Sequence, residues 1–156
     1  MVEGRRAIVQ NIHKIFLVMG TRRKGRELAL QALYQMEITG DASAAAVDLF
    51  LSHFEGSAPA KEFARRLVSG VVSQRPDIDR LIEQCTVNWR LVRMAKVDLL
   101  ILRMAAYELI FCPDIPLNVS LDEAIEMGKR FGTGDSGSFI NGVLDQLAHA
   151  EIAKAH

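Results

Sequence analysis

Apolar positions recur with the period of a helix in every long segment of the chain. The basic run "TRRKGRE" at 21–27 leads directly into a stripe of Leu28, Ala29, Ala32, Leu33 and Met36, with Arg23 and Glu27 as an i,i+4 pair outside it. Gly40 predicts the end of this helix, and Asp41 or Ser43 supplies an N-cap for the next, through "AAAVDLFLSHF". After the turn "EGSAP", a third stripe places Phe63, Leu67, Val68, Val71 and Val72 inward. Pro76 with Asp77 and Asp79 predicts a further helix start, because proline is tolerated in a first turn and acids favour the positive end. Ile78, Leu81 and Ile82 form its apolar face.

"VNWRLV" precedes residues 94–112, "MAKVDLLILRMAAYELIFC", which carry only Lys96, Asp98, Arg103 and Glu108 as charges. A helix apolar on nearly all sides is expected at the centre, surrounded by the others. "PDIP" at 113–116 breaks the chain, and Ser120 with Glu123 has the spacing of a capping box. Leu121, Ala124, Ile125, Gly128 and Phe131 then share one side. In the Gly-rich turn "GTGDSG", Asp135 or Ser136 can cap a last helix with Phe139, Ile140, Val143, Leu144, Leu147 and Ala148 inward. No alternating strand pattern, hairpin signal or internal repeat interrupts this series. The expectation is an all-α bundle of about seven helices around a central one, in two halves near 19–75 and 76–156.

Composition changes this picture in one respect. The 156 residues suit one domain and are 49% hydrophobic, and the net charge is zero. Residues 1–26, however, hold seven Lys/Arg against Glu3 alone, and the remainder holds twelve against eighteen acids. A basic arm on an acidic body points to a polyanion. Cys85 and Cys112 have neither metal-ligand spacing nor the density of a disulfide scaffold, which predicts a reducing, cytoplasmic setting. The four histidines are scattered, so no metal and no cofactor is expected. The early apolar run "IFLVM" at 15–19 is too short for a membrane span.

No catalytic motif is present: neither a P-loop, nor G-x-S-x-G, nor H-E-x-x-H. Asp98, Glu108 and Asp122 have no spacing that gathers them as acids or bases. Two features remain. "RFGTGDSGSF" is either a phosphate cradle of backbone N–H groups or simply a turn. Arg22, Arg23, Lys24 and Arg26 are either a solvated helix end or a phosphate-binding cluster. Arg22 and Arg26 share a face and repel, and cations at a helix N-terminus oppose the macrodipole at a cost of about 0.3–1 kcal/mol each. A nucleic-acid backbone would relieve both costs. Tyr34, Trp89, Tyr107, Phe111, Phe131 and Phe139 are the aromatics available for base stacking. Tyr107 and Phe111 are expected in the core, Phe131 and Phe139 at its edge. Gly142, inside the last helix, suggests tight helix packing or a close external approach.

Three blocks, "RRKGRELALQALYQ" at 22–35, "VDLLILRMAAYEL" at 97–109 and "VSLDEAIEMGKRFGTGDSGSFINGVLD" at 119–145, resemble the bacterial NusB transcription antitermination family. With matching spacing the resemblance covers essentially residues 21–148. It implies an all-helical RNA-binding fold that binds boxA RNA with NusE, a ribosomal protein, and joins other Nus factors on RNA polymerase to suppress premature termination. It implies no enzymatic activity. Carried over residue by residue, the RNA-binding positions are Arg22, Arg23, Lys24, Arg26, Phe131, Gly132, Asp135, Ser136 and Phe139, and the partner-binding positions are Tyr34 and Asp98.

Ser138 departs from the pattern, standing where family members often have Lys. Residues 1–18 have no counterpart in it, and Met19 falls close to where family members begin. They are read as an extension that is misassigned or not native, with 19–156 as the single domain, and Arg5, Arg6 and Lys14 are discounted accordingly. Three alternatives stay open: a NusB-like domain serving rRNA modification, a small helical enzyme holding a phosphorylated substrate on "GTGDSG", and a protein adaptor or homodimer that hides its RNA surface.

Overall fold

The computed structural model describes residues 2–86 and 90–154, apart from the side chain of Phe16; Trp89 lies outside them. Six α-helices are present among these residues: α1 (Val2–Thr39), α2 (Ala44–Ser52), α3 (Ala58–Gln84), α4 (Lys96–Phe111), α5 (Leu117–Phe131) and α6 (Ser136–Lys154). One 3-10 turn, Leu91–Arg93, precedes α4. As its sequence implies, α4 is central. It packs against α1, α3, α5 and α6, and Leu99 to Ala106 are buried without interruption. The stripe from Leu28 to Leu33 on α1 and that from Ile140 to Ala148 on α6 close around it. Gly70 on α3 admits the ring of Tyr107: a Cβ there would lie 2.0 Å from the ring.

Local signals are met at several ends. α1 stops at Gly40, whose φ of 74° is the left-handed conformation that glycine favours. Ser43 Oγ accepts the Ala46 N–H and Ser57 Oγ accepts the Ala60 N–H, capping α2 and α3.

Others are overridden. Pro76 does not start a helix; it lies inside α3, and the place expected to divide the halves falls within that helix. Val72 and Pro76 are both exposed, so the carbonyl that loses its N–H partner is on the solvent side, while Val71, Ile78 and Ile82 keep the helix docked. The six α-helices among the described residues agree roughly with the seven or so expected, the expected start at Pro76 accounting for the difference. Ser120 and Glu123 are not a capping box, because α5 begins three residues earlier at Leu117, and both side chains turn to other helices. Two residues expected inward are exposed, Val72 at 39% and Phe111 at 38% while stacked on Tyr107, whereas Phe131, expected at the edge, is 39% exposed. Gly142 is exposed with no atom within 4 Å of a Cβ position, so helix packing does not require it.

Candidate nucleic-acid interface

The basic run sits on α1, which is unbroken from Val2 to Thr39. This corrects the expectation of a helix N-terminus. The cluster lies about five turns inside the helix, where the macrodipole penalty has vanished. The mutual repulsion is instead relieved by carboxylates of this same chain. Arg22 donates to Asp114 in the turn after α4, at 3.2 Å. Arg23 makes a two-pronged contact with Glu123 of α5, at 2.8 and 3.2 Å. Arg26 is gripped by Glu108 of α4, its closest N–O distance 2.6 Å, with Ser120 Oγ donating to the same carboxylate at 3.0 Å. The shared face of Arg22 and Arg26 is real: both guanidinium groups lie over the ring of Phe63, at 5.5 and 5.4 Å.

These contacts divide the cluster. Arg26 is 2% exposed, a structural ion pair with no surface to offer. Arg23 keeps 54% of its side chain exposed, and Lys24 is exposed with no ion pair among the described residues. The expected Arg23–Glu27 pair does not form, because Glu27 pairs with Arg130 at the end of α5. Arg130 in turn covers Phe131, 5.0 Å from its centroid. The two cross-pairs, Arg23–Glu123 and Glu27–Arg130, run this stretch of α1 alongside α5, with Glu27 at the end of α5 that leads into the following turn.

That turn is built by Ser136. Its buried Oγ accepts the Thr133 N–H at 2.8 Å, while Ser136 N–H returns to the Thr133 carbonyl at 3.1 Å. Gly132 is required for space, since a Cβ would stand 2.3 Å from Ser136 Oγ. The N–H groups of Gly132, Thr133 and Ser136 are thus engaged internally, which removes half of the six that "GTGDSG" could offer a phosphate. Phe131 and Asp135 are exposed; Phe139 is half-buried against the core.

Phe139 also lines a groove of about 270 Å³ with Arg93, Met94, Ala95, Asp98, Thr133, Asp135 and Ser136. Asp98 is 8% exposed, and its Oδ1 is buried with no hydrogen-bond partner among the described residues. Tyr34 is 44% exposed and lies one turn before Glu37, which takes Lys96 at the start of α4. Burial opposes the charge on Glu37, but the hydrogen bond from Lys96 and the charges of Lys96, Arg75 and Arg103 hold its carboxyl below the ordinary range. Burial pushes the thiols of Cys85 and Cys112 up, so neither is a ready nucleophile. Among the described residues no group of three His, Cys, Asp or Glu side chains could hold a metal, and no helix is long and apolar enough to cross a membrane.

Arg93, which lines the groove, and the pairing of Arg130 with Glu27 escaped the sequence reading. Arg130 next to Phe131 in "KRFG" was the available signal, but only packing shows that Glu27 answers it.

The comparisons with known proteins agree on family and fold. The NusB family model matches residues 23–149. The transcription antitermination protein NusB of Desulfatibacillum aliphaticivorans is 49% identical over 136 residues, covering 87% of this chain and 94% of that protein. The solved NusB of T. maritima superposes with a TM-score of 0.74 at 40% identity, covering 82% of this chain and 90% of that one. A NusB solved with the antitermination factor NusE and double-stranded RNA gives 0.75 at 25% identity, covering 85% and 98%.

Proposed function

The chain belongs to the NusB family, and on that premise we propose that it is an RNA-binding transcription antitermination factor. It takes a boxA-type single strand together with NusE, joins other Nus factors on RNA polymerase in the cytoplasm, and suppresses premature termination, notably in ribosomal RNA operons. It performs no chemistry of its own. One observation carries the reading: the cross-pairs Arg23–Glu123 and Glu27–Arg130 put exposed cations of α1 and the ring of Phe131 on one surface. Arg22, Arg23 and Lys24 then meet phosphates. Phe131 and Phe139 flank bases, and Gly132, Asp135 and Ser136 shape the turn between them. Arg26 acts by position only, fixing α1 against α4 and α5.

NusE is assigned the side of Tyr34 and Asp98. A buried acceptor left unpaired costs about 1–3 kcal/mol, and a donor from the partner at Asp98 Oδ1 would recover it. Residues 1–18 are assigned no part. Titrating a boxA-type single strand and its duplex, with and without purified NusE, at two salt concentrations tests the reading. Tightest binding is expected for the single strand with NusE present, weakening steeply with salt. A cooperatively folded protein that binds neither RNA under any of these conditions would remove it.

A further inference from the structure

The turn after α4 holds an ion cluster that the family resemblance did not single out. Asp114 accepts from Arg66 of α3 through two nitrogens, at 2.9 and 2.6 Å, and from Arg22 of α1 at 3.2 Å. We propose that the RNA-contacting surface continues from α1 onto α3 through Arg66, with Asp114 holding Arg66 and Arg22 in place for one backbone phosphate. This rests on the RNA reading above and deepens it.

The contrast with the neighbouring pairs carries the inference. Glu108 and Arg26 neutralise one another inside the core, and Glu123 answers Arg23 alone. Asp114 has two cations and one charge, so a positive charge is left over. It stands at the surface, the side chains of Arg22, Arg66 and Asp114 being 28%, 38% and 45% exposed. A guanidinium has five N–H donors; Arg66 gives two to Asp114 and Arg22 gives one, leaving donors on the open edges. The groups are also pre-organised. Arg22 rests on Phe63, and Arg66 is fixed by its two-pronged grip, so a phosphate meets donors that have already lost their rotamer freedom. The adjacent guanidinium groups hold the Asp114 carboxyl down at about 2, so the cluster keeps its charges at any physiological pH.

The test measures a boxA-type single-stranded RNA against the full chain over a series of salt concentrations, with melting followed in parallel. Arg66→Gln should weaken binding several-fold and reduce the slope of log affinity on log salt by about 0.7, the value of one phosphate on a single strand. Asp114→Asn keeps both arginines but gives up the two-pronged grip that holds them in place, so it should weaken binding several-fold. A cluster that only clips α1 and α3 to the turn would lower the melting temperature in both variants and leave the slope unchanged; that result overturns the proposal. With Arg23→Ala as reference, loss of affinity there but not in Arg66→Gln overturns this inference and leaves the RNA reading standing. No loss in either overturns the reading itself. Should Arg66→Gln fail to fold, Asp114→Asn decides, and unchanged or tighter binding counts against the proposal.

Discussion

Arg23 and Arg26 lie three residues apart on one helix, carry the same group and each grip one glutamate, yet their side chains are 54% and 3% exposed. On α1 the first points toward α5 at the rim of the bundle and the second toward α4 at its centre. Charge density along the chain therefore overstates the binding surface: one of its four cations is part of the core. The difference also explains how the run is tolerated. No external anion is needed to make it stable, because Asp114, Glu123 and Glu108 come from elsewhere in the fold. What RNA can gain is confined to the cations that are incompletely answered.

The sharpest way to break this comparison is Arg26→Ala. It leaves Glu108 charged and buried, and should cost about 3–5 kcal/mol of stability in urea unfolding. The double change Arg26→Met with Glu108→Leu should recover most of it, since an apolar pair of similar volume often replaces a buried ion pair without loss. RNA affinity of the folded double variant should match the wild type within experimental error. A specific loss of affinity there would return Arg26 to the interface.

Phe139→Ala comes next. If the ring stacks on a base, binding should weaken by about 1–3 kcal/mol in an RNA titration. Because the ring is only half-buried, its folding cost should fall below the about 3–5 kcal/mol of a fully buried phenylalanine. A purely structural ring would show the folding cost alone. Arg23→Ala should produce a smaller effect, a several-fold loss with a salt slope lower by about 0.7. Unchanged slope and affinity at an unchanged melting temperature would exclude Arg23 from phosphate contact.

Smaller still is the acid response of Asp114. Its carboxyl is depressed from 3.8 to about 2, chiefly by the hydrogen bonds from Arg66. A depressed carboxylate stabilises above its unfolded value and loses that contribution as pH falls through its folded one, here between about 4 and 2. With the group nearly half exposed, solvent screening keeps the contribution at about 0–1 kcal/mol. Melting of wild type and Asp114→Asn across that window should converge toward the acid end. Least of all, a chain starting at Met19 should retain its RNA affinity and helical circular dichroism per residue, because residues 2–19 are exposed where described. Aggregation or loss of cooperative melting would show that the first turns of α1 matter.

Periodicity alone was enough for an all-α bundle, for α4 at its centre, and for most of the inward faces, since burying a stripe leaves the same mark in any helical fold. Capping chemistry at Gly40 and Ser43 was legible for the same local reason. Pro76 and the Ser120/Glu123 pair misled because their local preferences, about 1–3 kcal/mol each, were outweighed by the packing of a whole helix face. The blocks at 22–35, 97–109 and 119–145 carried the family. Nothing local, however, distinguishes Arg23 from Arg26, or brings Arg130 to Glu27 and Arg66 to Asp114. Those partners are separated by 103 and 48 residues along the chain. Their charges could be counted from composition, but the distance between them, on which an ion pair's energy depends, exists only once α1, α3, α4 and α5 have packed.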